Sequence, residues 1–287
     1  MQMSINVIPK GAALGAEIRG LDVSHELAPS ETAAIQSAWR DYLVIFFRDQ
    51  QLTDEQLLHF SRVFGDLDAS PASELLDRGG SSSRSSPDVW IISNVIKDGQ
   101  PIGSLGAGEA EWHTDMSYVE TPPKASVLYA LEIPPSGGDT YFANMYRAIE
   151  ELPSDLRREI EGRRAIHSST HTSAGELRVG QQAVLEDGRI PGAHHPIVRI
   201  HEETGREALY LGRRTNGYVD ELSIEESDAL LDRLWADCTR LELIYRHKWR
   251  VGDLLMWDNR CVIHRRDAFD PASRRIMHRT QIRQSAA

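Results

Sequence analysis

This chain is constrained most by a series of short strand candidates that extend over its whole length and are separated by turn signals. The Pro-Pro-Ser-Gly-Gly run at 134–138 is one such signal, because proline and glycine favour turns and interrupt strands. Alternating βαβ units would place a helix after each strand, so the pattern favours a sandwich or a barrel. The strands are predicted at 42–47, 89–95, 126–132, 196–201, 207–212, 241–249, 253–257 and 277–283.

Helices are predicted at five places between these strands. Thr53 with Gln56, and Ser223 with Glu226, form capping boxes, in which two residues satisfy the free amides at a helix start. The 287 residues contain no internal repeat and no clear linker, so we predict a single domain that spans 1–287. The remaining helices are predicted at 30–41, 145–152 and 154–162.

A long polar segment at 168–194, with scattered glycines, is predicted to form a lid. Long loops in compact domains are often lids and are otherwise disordered. Four histidines flank or belong to this segment, and we predict that they are solvated, with His167 as a candidate pocket residue. They are His167, His171, His194 and His195.

The charge balance and the cysteines limit the class of protein. A formal net charge of -11 argues against nucleic-acid binding, which needs a basic face, but it leaves a small anionic substrate open. The two cysteines, Cys238 and Cys261, are too few for a disulfide framework and fit a reducing compartment. No apolar run approaches the roughly 20 residues that span a bilayer. We therefore expect a cytoplasmic protein with no membrane partner.

The pair His113 and Asp115 is the first sign of a metal site. With eleven histidines, one His-x-Asp pair arises by chance about as often as not. If the segment is extended, however, both side chains project from the same face. His264, in a predicted strand, turn and strand at 256–264, is the best third ligand. Two histidines and one carboxylate are the ligand set of non-haem iron(II) oxygenases, which keep the other coordination positions open.

Two other functions remain open at this point. A metal-dependent hydrolase could use the same three ligands to activate water, and it would work with zinc and without a cosubstrate. A barrel of this kind could also bind a ligand as a sensor, without catalysis.

Seven short motifs, in the same order along the chain, give a more specific answer. They are GAEIRGLD at 15–22, FGDL at 64–67, WHTD at 112–115, TPP at 121–123, GGDT at 137–140, WDNRCVIH at 257–264 and RRIMHRT at 274–280. In these motifs the sequence resembles the taurine dioxygenase and 2,4-dichlorophenoxyacetate dioxygenase family over nearly the whole chain. The resemblance implies a mainly β fold with flanking helices and a double-stranded β-helix (jelly-roll, cupin-like) core.

The resemblance also implies the cofactors. Fe(II) would be held by His113, Asp115 and His264, with 2-oxoglutarate as cosubstrate and O2 as oxidant. The distal carboxylate of 2-oxoglutarate would meet Thr140 and Arg275, because a guanidinium binds a carboxylate with two parallel hydrogen bonds. The family reaction releases succinate and carbon dioxide and hydroxylates the primary substrate, after which a C–O or C–S bond can break.

The primary substrate is less well defined. The resemblance implies that Arg279 contacts its anionic group. Taurine is disfavoured for two reasons. Glu109 replaces the asparagine that meets the amine in taurine dioxygenase, and residues 64–71 lack that enzyme's sulfonate-binding histidine, for which Ser70 is a candidate polar substitute. Arg213 and Arg214 are either a second anion contact or a solvated pair. We expect an aryloxyalkanoate, a sulfonate, a sulfate ester or a related carboxylate as substrate, and a homo-oligomer, a dimer or a tetramer.

Overall fold

A computed structural model describes residues 5–11, 13–69, 86–178 and 190–284. Within these ranges the protein is mainly β, and its helices lie outside the sheets. None of the described helices is long and apolar enough to cross a membrane. Numbered in chain order, the helices are α1 (Pro29–Tyr42), α2 (Asp54–Arg62), α3 (Met145–Glu150), α4 (Ser154–Glu159) and α5 (Ile224–Cys238), with one 3-10 turn at Leu241–Leu243.

Two large sheets form the centre of the fold. The first contains eight strands, in the order β1 (Asn6–Pro9), β2 (Ala16–Arg19), β3 (Val44–Phe47), β17 (Leu254–Asp258), β9 (Ala125–Glu132), β19 (Ile276–Ile282), β4 (Trp90–Ser93) and β7 (Ser104–Leu105). The second contains four, in the order β16 (Ile244–His247), β10 (Thr140–Asn144), β18 (Val262–Arg266) and β8 (Ala110–His113). All their pairings are antiparallel except β2 with β3 and β4 with β7.

Three smaller sheets complete the described fold. They are β12 (Gly192–Pro196), β11 (Arg164–Ser168) and β15 (Tyr218–Val219); β13 (Val198–Ile200) with β14 (Glu207–Leu209); and β5 (Ile96–Lys97) with β6 (Gln100–Pro101). This arrangement is the predicted double-stranded β-helix with flanking helices.

The central strands of the eight-stranded sheet are buried on both faces, and β3 shows why. All four of its residues are apolar and buried. Val44 and Phe46 join the core between the two large sheets, whereas Ile45 and Phe47 join the core beneath α1 and α2. A strand that is covered on both sides needs such a continuous apolar run, because alternate side chains enter opposite cores.

The local sequence patterns predicted the positions of the helices correctly. The capping boxes of Thr53 and Ser223 are formed, with each side chain accepting a hydrogen bond from the third residue of its helix. The predicted strand at 241–249 is wrong at its start, where the 3-10 turn precedes β16.

The predicted lid segment begins and ends in strands. Ser168 closes β11 and pairs with Gly192 at the start of β12, while residues 179–189 lie outside the described ranges. The prediction of solvated histidines is wrong for His167 and His195, because the pairing of these strands buries both rings against Tyr210.

Candidate metal centre

The three ligands predicted from the sequence meet at one place in the fold. His113 ends β8, His264 lies at the middle of β18, and the two residues are cross-strand partners. Their Nε2 atoms lie 3.6 and 3.9 Å, respectively, from Oδ1 of Asp115. All three side chains are buried, and one ligand atom of each lies within 4.8 Å of the others.

Each imidazole presents Nε2 to this point. Nδ1 of His113 lies 2.7 Å from the carbonyl oxygen of Glu111, to which it donates, so Nε2 is left with its lone pair. Burial, and then the charge of His113, hold the pKa of His264 well below its usual value. His264 is therefore neutral, which is the form that binds a metal.

Asp115 is held by residues from three distant segments. Its Oδ2 accepts a hydrogen bond of 2.7 Å from Ser126 Oγ, which in turn accepts one from the side-chain amide of Asn259 at 3.0 Å. Nη1 of Arg279 lies 2.9 and 3.0 Å from the two carboxylate oxygens. Burial alone would raise the pKa of Asp115, but Arg279 and the histidines hold it well below its usual range. The carboxylate is thus ionised and fixed in orientation.

This donor set fits a divalent iron. Ligand atoms at about 2.1 Å from one ion lie roughly 3 Å apart when they are adjacent, so the observed spacing requires only a small contraction. Two imidazoles and a carboxylate, with no thiolate, are typical of oxygenase iron rather than of structural zinc.

The residues predicted to hold 2-oxoglutarate lie at or near the start of β10, the strand that pairs with the β18 strand of His264. Thr140 begins β10 and is buried, and its Oγ1 accepts a hydrogen bond of 2.9 Å from Nε1 of Trp249. The hydroxyl hydrogen of Thr140 is therefore free to donate to a carboxylate. Arg275 is 2% exposed and lies against the turn before β10, where a Cβ on Gly138 would be 3.6 Å from its Nε.

Two buried guanidiniums in this region have no carboxylate partner among the described residues. Arg266 is the cross-strand partner of Thr140 and donates only to the carbonyls of Leu105 and Gly108. Burial lowers the pKa of Arg266 to about 10, and burial together with Arg266 lowers that of Arg275 to about 9. Buried cations are costly unless they are paired, so an anionic ligand would stabilise this region.

Of the predicted substrate contacts that the structure describes, only Arg279 is found beside the metal ligands. Arg279 is buried beside the ligands and stacks over Trp90. Glu109 has a side chain that is 62% exposed and pairs with Arg265, on the face of β18 opposite to His264. Ser70 lies outside the described residues.

Three functional residues escaped the sequence analysis. Ser126 and Asn259 orient Asp115, and Trp249 orients Thr140. Asn259 lies in the turn that the sequence predicts within 256–264, and only the tertiary structure places its side chain beside Ser126. No local pattern marks these residues, because each acts through a partner that is remote in sequence.

A second group of possible ligands, His201, Asp258 and Cys261, does not form a comparable site. The Asp258 carboxylate already accepts hydrogen bonds from the Arg260 guanidinium through both oxygens, at 2.9 and 2.6 Å. His201 Nε2 lies 3.1 Å from the same carboxylate. A cation already occupies this group, so it stabilises the turn between β17 and β18.

Comparison with known proteins agrees with this geometry. The model of the taurine catabolism dioxygenase TauD, TfdA family matches residues 6–281. The alpha-ketoglutarate-dependent 2,4-dichlorophenoxyacetate dioxygenase of Cupriavidus pinatubonensis is 34% identical, over 96% of this chain and 97% of the relative. The alpha-ketoglutarate-dependent sulfate ester dioxygenase of Pseudomonas putida is 35% identical, over 91% and 84%.

Solved structures agree as well. A taurine dioxygenase from Burkholderia xenovorans superposes with a TM-score of 0.78 at 33% identity, covering 98% of this chain and 90% of its own. AAD-2 in complex with Mn(II) and N-oxalylglycine superposes with a TM-score of 0.80 at 29% identity, covering 99% of both chains. The chain belongs to the TauD and TfdA family of dioxygenases.

Proposed function

We propose that this protein is an Fe(II)- and 2-oxoglutarate-dependent dioxygenase that hydroxylates a small organic anion. Its metal ligands are His113, Asp115 and His264, and its cosubstrate residues are Thr140 and Arg275. The observation that carries the proposal is the buried Arg275 guanidinium, which has no carboxylate partner among the described residues and lies against the turn before β10, the neighbour of the strand that carries His264. A hydrolase that uses the metal only to activate water needs no cation to hold a dicarboxylate cosubstrate.

The register of the four-stranded sheet supports this division of roles. Phe142 is the cross-strand partner of His264, and Thr140 lies two residues away along β10. Two residues of a strand span about 7 Å, a length that a five-carbon dicarboxylate can bridge between a metal and a hydroxyl. The distal carboxylate would then be held by Arg275 and by the hydroxyl hydrogen of Thr140.

The residues of the chain prepare the site for the reaction. The chemistry that iron and 2-oxoglutarate supply when bound is oxidative decarboxylation by O2, to succinate and carbon dioxide, coupled to hydroxylation of a C–H bond. Ser126 and Arg279 fix the Asp115 carboxylate, and the Glu111 carbonyl fixes the ring of His113. The apolar core around Trp257 and Phe142 shields the ligands from water.

The substrate class follows from the relatives and from charge. The relatives named above are named for 2,4-dichlorophenoxyacetate and for sulfate esters, and another is named for (S)-phenoxypropionate. All are small organic anions, so we extend the proposal to aryloxyalkanoates, sulfonates, sulfate esters and related carboxylates. Cleavage of a C–O or C–S bond after hydroxylation belongs to the same proposal. Arg279 remains a predicted substrate contact, although its Nη1 already binds Asp115.

The organisation of the protein is proposed on separate support. Residues 1–287 would form one domain, with 168–194 as a lid. Glu111 donates its backbone amide to the carbonyl of Ser173, so the start of that segment touches the ligand strand. Two free, buried cysteines fit the cytoplasm. A homo-oligomer, a dimer or a tetramer, belongs to the same proposal, and light scattering would measure it.

One anaerobic binding experiment tests the dioxygenase assignment. The protein is loaded with Fe(II), and the dissociation constant for 2-oxoglutarate is measured by calorimetry for the wild type and for Arg275→Gln. Loss of a charged partner should weaken binding by about 2–4 kcal/mol, roughly 30- to 800-fold. Arg274→Gln is the matched control, because Arg274 is exposed and pairs with Glu132. Equal affinity in the wild type and Arg275→Gln would contradict the assignment, and zinc-supported hydrolysis without O2 would favour a hydrolase.

A further inference from the structure

The adjacent arginines Arg213 and Arg214 have opposite environments. Arg214 donates to Asp232 Oδ1 at 2.6 Å and to Asp228 Oδ1 at 2.8 Å, both on α5. Arg213 donates only to the carbonyl oxygen of Ser168, at 3.2 Å, and no described carboxylate forms an ion pair with it. One arginine of the pair is thus neutralised at the surface, and the other is not.

Arg213 lies next to the segment that carries two metal ligands. Thr114, between His113 and Asp115, donates its amide to the carbonyl of Gly212 at 3.1 Å and its hydroxyl to that of Leu211 at 3.0 Å. Arg213 is therefore the residue that directly follows this backbone contact. Gly212 permits the approach of His167, since a Cβ there would lie 2.6 Å from the imidazole Cγ.

A second cation and a phenol lie near Arg213, because the backbone amide of Arg178 donates to the carbonyl of Thr170 at 2.8 Å, two residues after the Ser168 carbonyl that accepts from Arg213. Arg178 donates to the hydroxyl of Tyr118 at 3.1 Å, and its guanidinium carbon is 4.1 Å from the centre of the Tyr118 ring. Tyr118 follows Asp115 by three residues. Arg178 also makes no ion pair with a described carboxylate, and its other hydrogen bond goes to the carbonyl of His171.

The positive charges of Arg213 and Arg178 are not offset by a described carboxylate that pairs with either of them. Burial and the charge of Arg178 lower the pKa of Arg213 to about 10, while Glu111 acts in the opposite direction. The Glu111 carboxylate is engaged elsewhere, accepting a hydrogen bond of 2.8 Å from Thr215. Half-buried guanidiniums without a counter-ion are stabilised when an anion binds between them.

We infer that Arg213, with Arg178 and the hydroxyl of Tyr118, binds the anionic group of the primary substrate, which is a carboxylate, a sulfonate or a sulfate ester. The inference rests on the proposed function and deepens it. Arg279 is a weaker candidate for the main anion contact, because its charge is offset by Asp115. Arg213 lacks such an offset among the described residues.

Calorimetry on the anaerobic protein loaded with Fe(II) and 2-oxoglutarate tests this site. The titrants are 2,4-dichlorophenoxyacetate, (S)-2-phenoxypropionate, hexyl sulfate and hexanesulfonate, with hexanol and 2,4-dichlorophenoxyethanol as neutral counterparts. For the anion that the wild type binds most tightly, Arg213→Gln should raise the dissociation constant at least about tenfold. Arg213→Lys, which keeps the charge, should lose less, and Arg178→Gln should also bind more weakly.

Arg214→Gln is the matched control and should change anion affinity by less than about twofold, because surface ion pairs contribute little. Affinities for 2-oxoglutarate and for the neutral counterparts should be the same in all variants. Unchanged anion affinity in Arg213→Gln, or no binding of any of the four anions by the wild type, would overturn the inference. If 2-oxoglutarate still binds in that case, the proposed function stands; if it does not bind even to the wild type, the proposed function fails as well. Thermal unfolding checks that each variant folds.

Discussion

The Asp115 carboxylate and the neighbouring region of Arg213 and His167 differ in how their polar groups are paired, and we call them the paired side and the unpaired side of the site. Asp115 has a partner at each oxygen, from Ser126 and Arg279. On the other side, Arg213 makes a single hydrogen bond to a carbonyl, and His167 has no partner for either ring nitrogen among the described residues. The paired side holds metal ligands in place before a ligand arrives. The unpaired side has charge and hydrogen-bonding capacity left for a molecule that the protein must recognise.

The strongest way to break the paired side is to remove one of its metal ligands. His264→Ala should abolish iron binding and reduce succinate formation below detection, because two remaining ligands hold the metal too weakly. Iron content and 2-oxoglutarate-dependent succinate formation measure both effects. His194→Ala is the control, since His194 is half-exposed and pairs with Asp220. Iron retained at full occupancy by His264→Ala would remove this residue from the ligand set.

A milder change tests the paired side by removing a hydrogen bond to one of the metal ligands. Ser126→Ala deletes the hydroxyl that donates to Asp115, and it should weaken iron binding about 10- to 100-fold. Competition with a chromogenic chelator measures the affinity. Ser227→Ala is matched in chemistry and burial but is bonded to Val219, far along the chain from the ligands, and should bind iron as the wild type does. Equal affinity in both variants would limit Ser126 to a structural role.

On the unpaired side, we expect His167 to affect how the free energy of unfolding depends on pH. Burial, and then the charge of His195, hold the pKa of His167 well below its usual value, so the folded state keeps this ring neutral. The unfolded state takes up a proton below about pH 6.5, and stability then falls by about 1.4 kcal/mol per pH unit for this group. His167→Phe keeps the ring and should give a shallower loss between about pH 6.5 and 5 in urea unfolding.

The control for this experiment is His25→Phe, because the His25 side chain is 78% exposed. Its stability should follow the pH dependence of the wild type. A wild-type slope in His167→Phe would mean that this histidine is protonated in the folded protein.

The smallest effect is expected at the outer edge of the site. Glu109→Gln should change the Michaelis constants for 2-oxoglutarate and for the primary substrate by less than about twofold, since an exposed ion pair with Arg265 contributes little. Steady-state kinetics measure both constants. A selective rise in the constant for the primary substrate would restore Glu109 to the substrate site.

Much of this fold could be predicted from local patterns. The turn signals and apolar segments predicted about half of the strands of the two large sheets, and the capping boxes predicted the starts of α2 and α5. The errors have a common cause. The start of the predicted strand at 241–249 and the burial of His167 and His195 depend on which segments pair across the fold. Pairing between distant segments leaves no periodicity in either one.

The sequence by itself predicted the ligand set of this protein. The spacing of His113 and Asp115 on one extended segment, and the motifs around His264 and Arg275, are local properties that a short peptide segment carries. Only the tertiary structure decided how those groups are held and charged. It placed Arg279 on Asp115 across 164 residues and Trp249 on Thr140 across 109, and it left Arg213 without the partners that neutralise Arg214. The physical reason is that burial and long-range contacts set the charge balance of a side chain, and its neighbours in sequence do not.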